Sequence, residues 1–400
     1  MSRRTVMPRL PLVLALLLAS PASGQLLPSL PAPVAALPDQ VRGAVDRAVD
    51  GVPRLLEAPV RLLDAARLDR IMRLVRDSGG LVVRDDRGNA ARAGEVVLTD
   101  PTDAEITALE HEGFRTIERA EIDGLGVGYA RLAVPDGVRL DRALARARRQ
   151  AADVAADVIH FESGSVAAGS VAAVPVQVPP APAGTTVGII DGGVADPGVR
   201  QMGFANGAPR ASDHGSAVEW LVGRGAPGAR VLAADVYGND PAGGGAVAIA
   251  RAIGWLARER VGTVSISLVG PPNPLLARVV AAAQRRGMTI VAAVGNDGPT
   301  APPAYPASYP GVVAVTGVDA RDRVLIEAGR ASHLDYAGPA AGFAAPDAGG
   351  RMKAVRGTSF AAPLVAARIA AVGRAGADRE ARKGRGYGRG LVCATCVARR

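Results

Sequence analysis

Lysine is nearly missing from these 400 residues: Lys353 and Lys383 are the only two among 47 basic side chains, so the cation is arginine almost throughout. No Gly-Lys-Ser/Thr run exists, which excludes a P-loop, and a Schiff-base enzyme would have two candidate lysines. Aromatic residues make up 3% of the chain, too few for the stacking platforms of a single-strand nucleic-acid binder. Cysteine is limited to Cys393 and Cys396. Two thiols cannot close a four-ligand zinc site, and a redox Cys-x-x-Cys belongs at a strand-to-helix junction, so a small local disulfide in an oxidising compartment is expected. Long apolar runs are also lacking: none beyond the first residues reaches the roughly 20 needed to span a bilayer, and the run at 249–256 is broken by Arg251. A soluble product without a stable membrane span is expected.

What the chain does have is 48% hydrophobic residues, enough at this length to bury one or two cores. Its formal net charge of +9 would, taken whole, suggest a nucleic-acid partner. Divided along the chain it does not. Residues 1–24 carry three arginines and no acid, residues 25–183 carry 19 bases and 23 acids, residues 184–372 carry 17 and 13, and residues 373–400 carry eight and two. The middle is therefore an acidic block followed by a basic one, and no nucleic-acid partner is expected.

The segments differ in kind as well as charge. Arg3, Arg4 and Arg9 precede an apolar stretch at 10–19 and the small residues Pro21-Ala22-Ser23-Gly24, which is the pattern of an export signal cut near Gly24-Gln25. Ser2-Arg3-Arg4 also resembles a twin-arginine signal. Export to a periplasm or the extracellular space follows. Residues 25–93 form a helical segment, with spaced aliphatics such as Val41, Val45, Leu62, Leu63, Ile71 and Met72 interrupted near Pro53 and Pro59. Residues 94–163 suggest a β-α-β-β-α-β unit of ferredoxin-like form: a strand at 95–99, a helix from Asp100-Pro101, two strands meeting around 124–128, a helix at 140–151 and a closing strand at 158–162. His111 and His160 stand alone there, as surface or packing histidines. Residues 164–183 are uncharged and end Val178-Pro179-Pro180-Ala181-Pro182-Ala183, a linker with a processing region. From 184 to 372, strands at 186–191, 230–236, 263–268, 289–295 and 312–318 alternate with helices near 214–224, 246–260, 273–286 and 358–372. That alternation indicates an α/β fold with a mostly parallel sheet covered on both faces, whose function gathers at the carboxyl ends of the strands. The basic tail at 373–400 reads as a solvated, flexible end, with the apolar Leu391-Val392 leaving open that part of it packs.

Four short segments fall at such places. Asp191, followed by Gly192-Gly193, ends the first strand; it is either a buried orienting carboxylate or a fragment of a dinucleotide turn, though the Gly-x-Gly-x-x-Gly spacing is absent. His214, in Asp213-His214-Gly215-Ser216, opens a helix, and histidine is the side chain suited to move a proton near neutral pH. Asn296, in Gly295-Asn296-Asp297-Gly298, leaves a strand end inside a glycine-bounded turn; it serves its own turn or donates to an oxyanion. Ser359, in Gly357-Thr358-Ser359-Phe360-Ala361, begins a helix of small residues, either as a cap or as a nucleophile whose approach is unobstructed. His333 has no accompanying glycine and reads as structural.

With these motifs in the order Asp, His, Ser, residues 184–372 are similar to the catalytic domain of the subtilisin-like serine peptidases, the subtilases or peptidase S8 family. The acidic block ahead of them resembles the family's pro-domain. The resemblance implies an exported serine endopeptidase made as a self-processed precursor, with Ser359 as nucleophile, His214 as general base and then acid, Asp191 orienting the imidazole, and Asn296 with the Ser359 N–H as oxyanion hole. It implies that Ser267, Leu268, Val269 and Gly270 bind extended polypeptide substrate main chain to main chain. It also implies that the pro-domain is an intramolecular inhibitor or chaperone, and that neither metal nor cofactor enters the chemistry. The chain departs from the family in three places. Gly192 replaces the usual Ser or Thr, Val269 stands where glycine is common and would narrow the specificity pocket, and the Asp191 to His214 connection is short. Those departures motivate the alternative of a non-catalytic binding module on a subtilase-like frame.

Overall fold

Helix α1 (Glu57–Asp77) is the first described element; it buries Leu63 and Ile71 while Leu62, Leu68 and Met72 face outward. An antiparallel ribbon follows, β1 (Val82–Arg84) with β2 (Ala90–Arg92). This computed structural model describes residues 57–162, 164–166 and 178–399, all within the unit Ala32–Arg400. The export signal expected at 1–24, the helical turns expected before 57 and the middle of the expected linker lie outside the described residues.

Next come β3 (Glu95–Thr99), α2 (Asp103–His111), β4 (Arg115–Ile122), β5 (Val127–Ala133), α3 (Leu140–Ala147) and β6 (Val154–Ala155). The strands form an antiparallel sheet in the order β4-β5-β3-β6. Helix α2 begins later than Asp100-Pro101 because Thr102 and Glu105 close a reciprocal capping box there. The sheet is closed by the two residues of β6 and not by 158–162. That stretch leaves the sheet altogether: β7 (Phe161–Glu162) and β8 (Ser165–Val166) pair with the following layer.

That layer runs β9 (Thr186–Asp191), β10 (Arg200–Gly203), α4 (Asp213–Gly225), β11 (Arg230–Asp235), α5 (Ala246–Arg258), β12 (Thr263–Ile266), β13 (Leu268–Val269), α6 (Pro274–Arg285), β14 (Thr289–Ala293), β15 (Val313–Val318) and β16 (Tyr336–Pro339). It ends with the antiparallel pair β17 (Ala341–Pro346) and β18 (Met352–Arg356) and then α7 (Thr358–Glu380). Seven strands make one sheet in the order β10-β11-β9-β12-β14-β15-β16, and every pairing is parallel. Alternate side chains of a strand face opposite ways. Ile190, Val264 and Ile290 accordingly join the apolar residues of α5 and α6, while Val291, Val313 and Val315 join Leu221 of α4 and Leu364 and Val365 of α7. Burial on both faces is why these strands read as apolar runs and not as alternations.

The four-stranded sheet rests on α5 and α6 and shares their core. A Cβ added to Gly254 would stand 2.7 Å from Ile122 Cγ2, so helix and sheet meet at the backbone. Asp157, buried, accepts from Val247 N at 3.0 Å and so caps α5 from outside. Arg258 pairs with Asp123, and Arg278 with Asp100 and Asp153, across the same contact.

Two expectations change at the carboxyl end. Helix α7 is long and apolar enough to cross a membrane, but 67% of its apolar window is buried inside the protein, as in a core helix. The tail is built in and not free: Leu391, Val392, Cys396 and Val397 are buried, and Val392 N donates to Ala337 O beside β16. Its arginines pair in place, Arg389 with Asp378 and both Arg382 and Arg399 with Asp322. Cys393 and Cys396 form a disulfide.

Candidate active site

Strand β9 ends in Asp191, fully buried, at the point where the sheet order turns from β11 to β12. Helix α4 is started by Ser212, whose Oγ accepts from Gly215 N at 2.9 Å, and this sets His214 in the first turn. Backbone meets backbone here: a Cβ on Gly215 would lie 2.4 Å from Gly192 O. Only glycine lets α4 come so near the strand end, and the approach brings His214 Nδ1 within 2.8 Å of Asp191 Oδ1. Gly192 N donates to the same oxygen at 2.8 Å. Asp191 Oδ2 and His214 Nε2 are buried and have no hydrogen-bond partner among the described residues.

Ser359 is the second residue of α7 and is buried. The preceding Gly357 takes φ 137, a conformation that favours glycine and turns the chain out of β18 into the helix. Phe360 lies against His214, ring centroids 5.3 Å apart. Asn296 follows β14, and its Oδ1 accepts from Thr358 N at 3.0 Å while Thr358 Oγ1 donates to Gly295 O. The amide is thereby anchored to the residue before the serine. The Ser267 hydroxyl donates to Ser359 O at 2.8 Å, bracing the backbone of Ser359. Val269 lies over Gly295, where an added Cβ would be 3.2 Å from Val269 Cγ1.

The cleft in front of these residues is filled by the chain itself. Val269 pairs with Phe161 and Leu268 with Glu162, antiparallel. On the opposite side His160 N donates to Gly244 O at 2.8 Å and Ile159 bridges Gly245. Beyond the serine, Ser165 and Val166 pair with Arg356 and Val355 of β18. Between the two pairings Gly164 passes so near that a Cβ on it would stand 2.5 Å from Ser359 Oγ. His160 packs its ring on Gly270, and burial pushes its pKa down to about 4. His333 bonds the Val312 carbonyl at 2.7 Å, a structural role.

Glu162 is a participant that its surroundings in sequence do not announce. Its carboxylate, Asp191 and His214 each place a polar atom within 4.8 Å of the others. The 2.8 Å bond between His214 and Asp191 makes this an imidazole flanked by carboxylates. Burial alone would push the His214 pKa down; the Asp191 and Glu162 charges and the Asp191 hydrogen bond outweigh it and raise it to about 9. The Gly243-Gly244-Gly245 run was the one local hint that a backbone lies close by.

Helix α1 closes the far side. Arg70 pairs with Asp297 at 2.9 Å and stacks over Phe161, and Leu63 lies under Gly298. Together with Val269, Gly295 and Asp297, Arg67 and Arg70 wall a cavity of about 280 Å³ beside the occupied cleft.

Residues 202–378 match the model of the subtilase family. The segment resembles a subtilase domain. His214, Asn296 and Ser359 fall inside the match, and Asp191 lies just ahead of it. Subtilisin E of Bacillus subtilis (strain 168) is 32% identical over 152 residues, 37% of this chain and 39% of that protein. Subtilisin BL of Lederbergia lenta is 32% identical over 149 residues, 37% of this chain and 54% of that one. The aligned stretches thus span about half, or less, of these relatives. Among solved structures, fervidolysin from Fervidobacterium pennivorans superposes with a TM-score of 0.62 at 16% identity, over 76% of this chain and 61% of that one. The likeness shows a subtilisin-like α/β fold.

Proposed function

We propose that the protein is an exported serine endopeptidase that first cuts its own chain between Ser163 and Gly164. The observation that carries this reading is that residues 161–162 and 165–166 pair with strands on either side of Ser359 and that Gly164 passes close to its Oγ. In this reading Ser359 Oγ attacks the carbonyl carbon of residue 163 while His214 Nε2 takes the hydroxyl proton. The imidazolium is held by Asp191 through Nδ1–H. The oxyanion is met by Asn296 Nδ2 and the Ser359 N–H. His214 then returns the proton to the Gly164 nitrogen as the C–N bond breaks, and water hydrolyses the ester on Ser359 by the same route.

The residues before the cut, with the four-stranded sheet and α1, act as pro-domain: they dock on α5 and α6 and leave their last strand in the cleft as a product. Polypeptides are the later substrates, bound against Leu268 and Val269. The unpartnered Asp191 Oδ2 favours the other reading, a binding module on a subtilase frame. Labelling with a fluorophosphonate separates the two. The refolded full chain should lose its precursor band and take the label at Ser359, and Ser359→Ala should do neither. An intact wild-type chain without label would refute the peptidase reading.

A further inference from the structure

The uncut chain brings a second carboxylate to the catalytic histidine from inside the very segment to be cut. Glu162 stands two residues before the proposed bond, as its pairing with Leu268 fixes. Its Oε1 occupies space that a side chain at position 192 would need, since a Cβ on Gly192 would lie 3.2 Å from Glu162 Oε1 and 2.3 Å from Ser212 Oγ. Ser212 is what excludes a larger residue at position 192, and Glu162 Oε1 lies beside the same glycine.

The groups around Glu162 come from several elements: Asp191 from β9, Asp213 and His214 from α4, Asp235 from β11, and the Tyr237 hydroxyl. The nearest arginine, Arg70 of α1, is paired with Asp297. Of these facing groups His214 and Arg70 can be cationic; Arg70 is paired with Asp297 and His214 Nδ1 with Asp191, so Glu162 adds a second carboxylate to an imidazole that already has one. Burial raises the pKa of Glu162 itself to about 7, so above that pH it is a carboxylate, and a buried imidazole near two carboxylates keeps its proton to higher pH than one beside a single carboxylate. A general base that is already protonated cannot take the proton of Ser359.

We propose that Glu162 times self-cleavage: lying in the cleft, its carboxylate holds His214 in the protonated form, so the uncut chain is slow near neutral pH and cuts itself as the pH rises. Once the segment leaves, the brake leaves with it, and peptide hydrolysis follows a lower pH profile than self-cleavage does. This rests on the peptidase reading above.

The test is the full chain, refolded from denaturant at a series of pH values, with loss of the precursor band giving the self-cleavage rate. The wild-type midpoint is expected near pH 9. Glu162→Gln should lower that midpoint by about one unit and speed self-cleavage near pH 7 about tenfold, since one unit is tenfold in the neutral fraction. Hydrolysis of an added peptide by the processed products should show one midpoint for both, as a merely structural role for Glu162 would not produce this split. Identical self-cleavage midpoints in wild type and variant would overturn the proposal. A second measurement does not need cleavage or a refolding variant alone. In the uncut Ser359→Ala chain, the His214 imidazole followed by NMR should stay protonated to higher pH than in Ser359→Ala/Glu162→Gln and Ser359→Ala/Glu162→Asp chains. Coincident titrations would likewise overturn it. If wild type neither cuts itself nor takes the fluorophosphonate, the peptidase reading falls, while this titration still decides what Glu162 does to His214.

Discussion

Asn296 shows how one side chain is readied for a task by a neighbour. Its Oδ1 is committed to Thr358 N, so the carbonyl end cannot rotate into the cleft and the amide donor keeps one orientation. Asn296→Ala should therefore lower kcat by roughly 10² to 10³, leaving KM little changed, in hydrolysis of a short peptide. An equal loss in KM would mean that the amide binds substrate in its ground state. Asp191, His214, Asn296 and Ser359 stood out in the sequence as candidates because each sits beside or near glycines. Ser267 falls between β12 and β13, and its hydroxyl bond could not be read from the sequence. A hydroxyl's partner is decided by what lies across the fold, here the carbonyl of Ser359 92 positions away. Glu162 had no signature, since its chemistry comes entirely from Asp191 and His214.

At the scale of elements, the parallel sheet was plain from its apolar runs, while β10, β16 and the β17–β18 pair were missed. Those are the short or outer strands, with little apolar pattern: β10 is Arg-Gln-Met-Gly and β16 is Tyr-Ala-Gly-Pro. The stretch 158–162 has the pattern of a strand and was expected to close its own sheet. It serves two other edges instead, because Gly244 and the β13 backbone offer hydrogen-bonding groups that nothing nearer in sequence could reveal. Asp157 works at this scale too, capping a helix of the other layer. In the uncut Ser359→Ala chain, Asp157→Ala should cost about 1 kcal/mol, the usual loss of a helix cap. Calorimetry should show a melting point lower by roughly 2 to 4 °C. An unchanged melting point would leave the α5 amide satisfied by other means.

For the molecule as a whole, the uncut chain is a linked system in which the cleft's protonation and its occupancy depend on each other. His214 has its pKa raised against the ordinary 6.5, so its folded form holds a proton more tightly than the unfolded chain. That stabilisation is complete below pH 6.5 and is lost as the pH climbs through about 9. The uncut Ser359→Ala chain should thus resist urea better at pH 6 than at pH 10, and adding Glu162→Gln should flatten the difference; equal slopes for both chains would remove Glu162 from the linkage. The net charge of +9 gains a similar meaning: its basic tail is tied down by Asp322, Asp335 and Asp378. By itself the sequence determined the α/β class, the order in which the candidate Asp, His and Ser stand and the pairing of two cysteines three positions apart, because periodicity, turn glycines and short spans are local properties. Only the tertiary structure decided that residues 160–162 and 164–166 fill the cleft, that Glu162 faces His214 and that the tail is part of the core. Each of these depends on hydrogen-bonding edges and charges brought together from distant parts of the chain, and burial gives them their strength.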